Sequence, residues 1–141
     1  MVRILGLDVG SVRIGVALSD RLGMTAQPLE VIERKKVKAV PRIAELVAEH
    51  EVTRIVVGRP LQLDGREGQA VAAVDAFVAS LKPHVTVPIE TWDERLSTAQ
   101  AERDMIAAGA RRDRRKGAID KVAAALILQS YLDARPGSAP P

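Results

Sequence analysis

Residues 4–20, ILGLDVGSVRIGVALSD, leave a chain few options. Ile4 to Val9 and Ile14 to Leu18 are short, rich in branched aliphatic side chains and punctuated by Gly10 and Ser11, so they read as the two strands of a hairpin. Side chains alternate along a strand, which puts Asp8 in one row with Ile4 and Gly6. A carboxylate in such a row loses hydration that only a cation or hydrogen-bond donors can replace. Two readings fit it: an Asp capping the turn through the amides of Gly10 or Ser11, or a residue kept there for its chemistry.

The rest of the fold must cover this hairpin. The 141 residues are 47% hydrophobic but only 2% aromatic, so the core is built from Val, Leu, Ile and Ala. That composition suits an α/β fold, a sheet covered by alanine-rich helices. A chain of this length forms one domain burying roughly 70% of its unfolded surface; it is expected over residues 1–133, with 134–141 a flexible C-terminal tail rich in Pro, Gly and Ser. The chain has no cysteine, which excludes disulfides and thiolate zinc sites and leaves any metal to oxygen or histidine ligands. His50 and His84 have no partner in sequence and read as surface residues. Met1 leads straight into a strand, and no apolar run approaches the ~18 residues of a membrane span, so a soluble cytoplasmic protein is expected.

Met24 to Glu33 reads as a third strand, placed at an edge or bulge by Pro28 and completing a meander. Val37 to Glu51 is an amphipathic helix with Val40, Ile43, Leu46 and Val47 at helical spacing and Pro41 in its first turn. Thr53 to Val57 is a strand buried on both faces, followed by a loop over Gly58 to Gly65. Gly68 to Leu81 is a helix and Val85 to Thr91 a fifth strand. Ser97 begins a helix that stops at Gly109, with Gln100 completing a capping box. A basic loop follows, and Ala118 to Leu132 is the last helix. The order β-β-β-α-β-α-β-α-α predicts a five-stranded mixed sheet, an antiparallel meander followed by crossovers that make the later strands parallel.

Ligands of such sheets bind beyond the carboxyl ends of the strands, where Asp8 and Glu94 both fall if their strands run the same way. Asp120 opens the predicted last helix. Each acid has an ordinary explanation: Glu94 as a loop residue paired with Arg95, Asp120 as a partner of the helix dipole. Jointly, three carboxylates from a strand, a strand end and a helix start are what Mg²⁺ or Mn²⁺ requires, with positions left for water and phosphate. Two such ions about 3.5–4 Å apart can activate an attacking water and stabilise a leaving oxygen. The formal charge of +3 is unevenly spread: Arg111 to Lys116, RRDRRK, sets five cations against one Asp, a cluster that attracts phosphate.

LGLDVGSVRIGVALSD, IVVGRPLQLDG, DERLSTAQAE and a basic stretch leading into IDKVAAALILQSYL closely resemble, in order, the motifs of the YqgF family. Its members are RuvX-like proteins of the ribonuclease H-like superfamily, described as Holliday junction resolvases and as nucleases maturing the 5′ end of small-subunit ribosomal RNA. The similarity covers Val2 to Leu132. It implies a ribonuclease H-like sheet flanked by about four helices, with Asp8, Glu94 and Asp120 as the catalytic, metal-binding carboxylates and Asp93 orienting Arg95 or binding metal through water. The chain departs from the family's pattern at Gln62, where members usually have Asn, and at Arg59, a position often apolar or Lys.

Arg13, Arg95 and Lys121 flank the proposed acids and suit phosphate binding, as do Arg111, Arg112, Arg114, Arg115 and Lys116. Gly10 and Gly15 suit either close approach of a phosphodiester backbone or plain turn and packing roles. Trp92 suits stacking on a base or anchoring a strand end. Ser97 and Thr98 lack a base at useful spacing and read as helix caps.

The expected protein is a Mg²⁺- or Mn²⁺-dependent nuclease on structured RNA or branched DNA, acting on pre-16S rRNA ends, on Holliday junctions or on ribosomal precursor particles, as a monomer or homodimer without a membrane partner. Two other readings compete with it. One is a non-catalytic RNA- or junction-binding protein using residues 111–116. The other is an actin-like phosphotransferase, which the length disfavours because such enzymes close two domains around a nucleotide.

Overall fold

A computed structural model describes residues 2–61, 68–97 and 112–135, with the backbone alone over 112–120. The elements are β1 (Ile4–Val9), β2 (Arg13–Ser19), β3 (Ala26–Glu33), α1 (Ala39–Glu49), β4 (Arg54–Arg59), α2 (Gln69–Leu81), β5 (Ile89–Asp93) and α3 (Arg112–Ala134). Short 3₁₀ turns occupy Lys82–His84 and Glu94–Leu96. The five strands form one sheet in the order β3-β2-β1-β4-β5. The β1-β2-β3 meander is antiparallel, and β1, β4 and β5 run parallel, as the strand order predicts. Their carboxyl ends therefore share one rim, with β1 at the centre of the sheet.

Alternation along the strands divides the core into two layers. Leu5, Leu7, Ile14, Val16, Ile55 and Val57 face α1 and α2, meeting Ile43, Leu46, Val74 and Phe77. Ile4, Ala17 and Val56 face α3, meeting Ala124, Leu128, Tyr131 and Leu132. Helix α3 is antiparallel to β1. Its carboxyl end is tied to the opposite, lower end of the sheet, where the Gln129 amide accepts from the Ala26 amide at 2.9 Å and donates to the Met24 carbonyl at 3.0 Å. Among the described residues, no helix is long and apolar enough to cross a membrane.

The structure corrects several expected boundaries. Residues 112–116 are not a loop: α3 begins at Arg112. Arg and Lys are good helix formers, and Gly117, which costs about 1 kcal/mol relative to Ala, does not interrupt a helix whose later turns are buried. Strand β4 continues through Gly58 and Arg59, which pair with Trp92 and Asp93. Strand β5 starts only at Ile89, because a 3₁₀ turn and Pro88 precede it. Pro28 lies on the edge strand, at a register shift opposite Val16 and Ala17. Three α-helices occur among the described residues; the helix expected over 97–109 lies, after Ser97, outside them.

The lower turn between β2 and β3 yields a test. The Asp20 carboxylate accepts from the amides of Met24 at 2.7 Å and Thr25 at 3.1 Å. Those two amides, Thr25 first, hold its pKa below the usual carboxylate range, against the opposing effect of burial. Asp20→Ala should cost about 1 kcal/mol. Because the folded pKa is the depressed one, this contribution is complete above the unfolded value of about 3.9 and is lost as pH falls through the folded value. The difference in Tm between wild type and Asp20→Ala is therefore expected to be constant from pH 5 to 7 and to shrink below about pH 4 in thermal melts.

Candidate active site

Asp8 lies one residue before the end of the central strand and is 9% exposed. Its cross-strand partner on β2 is Gly15. On the other side, the parallel register that pairs Leu7 with Val57 brings Gly58 level with it, and Gly58 in turn pairs with Trp92. The row is thus Gly15, Asp8, Gly58, Trp92, all on the α3 side of the sheet, so the carboxylate stands between two positions without side chains. The Gly10 amide, one donor of the turn-capping reading, is instead bonded to the Arg13 carbonyl at 2.9 Å. A Cβ on Gly10 would stand 2.7 Å from that carbonyl, so the tight turn accounts for this glycine.

The glycines of this face also set the height of α3 above the sheet. A Cβ on Gly6 would be 2.8 Å from Leu128 Cβ and 3.4 Å from the Ala124 carbonyl. One on Gly58 would be 2.8 Å from Ile127 Cδ1. Bare positions on β1 and β4 let the helix backbone sit low, and since α3 climbs toward the rim, the turn preceding Ala124 lies beyond Gly6 in the direction of Asp8. Position 120 is one turn before Ala124. It is the ninth residue of α3 rather than its opening residue, so the helix dipole no longer accounts for an Asp there, and Asp is a poor helix-interior residue. The Asp120 side chain lies outside what is described.

Glu94 opens the 3₁₀ turn directly after β5, half-buried at the same rim. Two strand spacings, about 10 Å, separate the β1 and β5 backbones. Asp93, in register with Arg59, belongs to the opposite pleat and holds Arg95: its Oδ2 accepts from Nη2 at 2.7 Å, and its Oδ1 accepts from the Arg95 amide at 2.9 Å. The Arg95 guanidinium is the main reason the Asp93 carboxyl lies below its usual pKa range; the Arg95 amide and the Arg59 charge act the same way, and burial opposes them. Arg59 itself donates from Nη2 to Asp75 Oδ2 on α2 at 3.1 Å. The expectation that Asp93 orients Arg95 matches this geometry.

Trp92 is an anchor: its indole N–H donates to Ser130 Oγ at 3.0 Å, and its ring meets Tyr131 edge-on, centroids 5.4 Å apart. Ser130 Oγ donates onward to the Leu96 carbonyl at 2.8 Å, and Ser97 Oγ donates to the Glu94 carbonyl at 2.9 Å. Both bonds fix the turn that carries Glu94. Arg13 starts β2 at the rim, and Lys121 is partly buried on α3. Arg112, Arg114, Arg115 and Lys116 lie on the first turns of α3, where only the backbone is described; Arg111, Gln62 and Thr98 lie outside the described residues.

The chemistry of the three expected donors would fit a hard divalent cation: Asp8, Glu94 and Asp120 offer only carboxylate oxygens, and Asp8 stands beside a glycine on each neighbouring strand. Among the described residues, which exclude the Asp120 side chain, no three Asp, Glu or His side chains converge. The roles of Gly6 and Gly58 escape sequence reasoning, because their function depends on which residues of α3 lie opposite. Their one signal is a glycine inside each of two strands otherwise rich in aliphatic residues.

This sheet order, with helices on both faces and a carboxylate at the end of the central strand, defines a RuvC-like, ribonuclease H-like fold. Over 98% of both chains it superposes on Thermus thermophilus RuvC in complex with a Holliday junction substrate, with a TM-score of 0.61 at 17% identity. The fowlpox virus Holliday junction resolvase gives 0.52 at 12% identity, covering 94% of this chain and 98% of that one. The chain belongs to the RuvX family, described as Holliday junction resolvase, whose sequence model matches residues 2–134. Relatives named "Putative pre-16S rRNA nuclease" include one from Desulforamulus reducens, 52% identical over 93% of this chain and 96% of that protein. Another, from Symbiobacterium thermophilum, is 50% identical over 98% and 96%.

Proposed function

We propose that this protein is a metal-dependent nuclease that hydrolyses phosphodiester bonds in structured nucleic acid, maturing the 5′ end of pre-16S rRNA, resolving branched DNA, or both. The observation that carries it is the near-buried Asp8 at the end of the central strand, level with Gly15 and Gly58, on the rim where Glu94 also emerges. Membership of the RuvX family and the names of its relatives support the same reading.

In this reading Asp8, Glu94 and Asp120 hold one or two Mg²⁺ or Mn²⁺ ions and do not themselves abstract protons. Ions so held supply an activated water and a counter-charge for the leaving oxygen. Arg13, Arg95 and Lys121 orient the phosphates on either side of the scissile bond, and Asp93 fixes the Arg95 fork. The basic first turns of α3, with Arg111 just before them, hold more distant backbone. Action on ribosomal precursors would put the protein in the cytoplasm.

Side-by-side cleavage of a four-way DNA junction and a pre-16S rRNA fragment, with Mg²⁺ or Mn²⁺ and an Asp8→Asn control, tests the proposal. Cleavage of neither overturns it. A second measurement isolates the metal: saturating Mn²⁺ is expected to raise the wild-type Tm by several degrees, since a ligand at a hundred times its Kd stabilises by about 2.7 kcal/mol. The rise should vanish in Asp8→Asn. An unchanged wild-type Tm would leave a binding protein without a metal centre.

A further inference from the structure

Resting on that reading, we propose that the β3–α1 turn, Arg34 to Lys38 (RKKVK), is a second phosphate-backbone contact, holding a duplex arm of the substrate on the side of the site away from α3. The meander decides where this turn lies. β3 is antiparallel to β2 and so ends at the same rim as β1, with Glu33 paired to Arg13. The chain then folds back sharply, the amides of Lys36 and Val37 both donating to the Glu33 carbonyl at 2.9 Å.

Arg34 fastens this turn to the hairpin that carries Asp8. Its amide donates to the Val12 carbonyl at 3.0 Å and its Nη1 to the Gly10 carbonyl at 2.9 Å, while its guanidinium lies 5.4 Å from the centre of the Phe77 ring. The neighbouring cations are not used in this way. Lys35, Lys36 and Lys38 are exposed, and none of them forms an ion pair among the described residues. Three exposed ammonium groups within four residues, on a turn bonded to the hairpin through Arg34, make a cationic patch that suits a polyanion.

The spacing selects the kind of polyanion. In the sheet, Asp8, Gly15 and Val31 lie in one row. Arg34 is two strand spacings to the side and three residues beyond that row, which puts its Cα roughly 14 Å from that of Asp8. That distance is spanned by a few nucleotides of one strand. One backbone can therefore present a phosphate at Asp8 and others at the lysines. RNA and DNA share this chemistry, and the two probes below separate them.

The test is equilibrium binding of full-length protein to a fluorescein-labelled four-way DNA junction and to a labelled pre-16S rRNA fragment, without divalent ion, from 50 to 200 mM KCl. The Lys35→Ala/Lys36→Ala/Lys38→Ala variant is expected to bind at least tenfold more weakly at 100 mM. The slope of log Kd against log salt should fall by about 2 to 3, since each duplex phosphate contact contributes about 0.9. The corresponding triple Arg variant should keep wild-type affinity, and Lys82→Ala, a change on an exposed turn elsewhere, should match wild type. A loss with one probe only supports the proposal and names the nucleic acid. Equal affinity and slope for wild type and triple Ala variant, with both probes, overturn it while leaving the nuclease reading intact. Weakened binding by the variant, with no cleavage by wild type in Mg²⁺ or Mn²⁺, supports this contact and overturns the nuclease. Failure of wild type to bind either probe overturns both.

Discussion

An Asp8→Asn variant is expected to lose at least a hundredfold in single-turnover cleavage, about 2.7 kcal/mol of barrier, while binding substrate within a few-fold of wild type. The substitution keeps the shape of the side chain and removes its charge. Asp8 is nearly buried and has glycines beside it in the sheet, so an amide of the same size needs no repacking. In the proposed mechanism it removes an anionic ligand for a hard cation, which a neutral amide replaces poorly. The phosphate contacts proposed for arginines and lysines elsewhere would remain. Affinity and turnover should separate, and undiminished cleavage would remove Asp8 from the mechanism.

Gly6→Ala is expected to destabilise by about 1–3 kcal/mol and to slow cleavage by about tenfold to a hundredfold, with Gly58→Ala smaller in both. The two glycines meet α3 differently. At Gly6 the new methyl would press on Leu128 Cβ and approach the Ala124 carbonyl, atoms fixed to the helix backbone. The helix itself must rise, taking position 120 with it, and a displacement of about 1 Å at a reacting centre can cost a hundredfold. At Gly58 the contact is Ile127 Cδ1, the far end of a side chain that can rotate away. Thermal melts and single-turnover cleavage of both variants check this; equal effects would show that the height of the helix does not govern the site.

The hairpin, the buried β4 and the shared rim of Asp8 and Glu94 were legible because each follows from short-range rules: alternation, branched side chains, and crossovers that force parallel strands. The length of α3 was not. RRDRRK followed by Gly117 has the composition of a solvated loop, and its helicity depends on the seating of Ala123 to Leu132 against the sheet, a tertiary fact. That error also hid the position of Asp120, which looked like a helix-opening residue. Val85 to Pro88 alternates like a strand, yet the 3₁₀ turn before it delays β5 to Ile89. RKKVK carried a readable signal, four cations directly after a meander strand, but its bearing on Asp8 needed the bonds from Arg34 to Val12 and Gly10.

The continuity of α3 from Arg112 makes it a gauge. Its later turns pack on the sheet and its earlier turns continue the same helix, in which each residue advances the axis by about 1.5 Å. Positions 112 to 116 therefore lie at set offsets of about 6 to 12 Å from position 120. If, as proposed, those turns hold substrate backbone and scission occurs beside position 120, the cut would fall a constant number of nucleotides from the grip, whatever the base sequence between them.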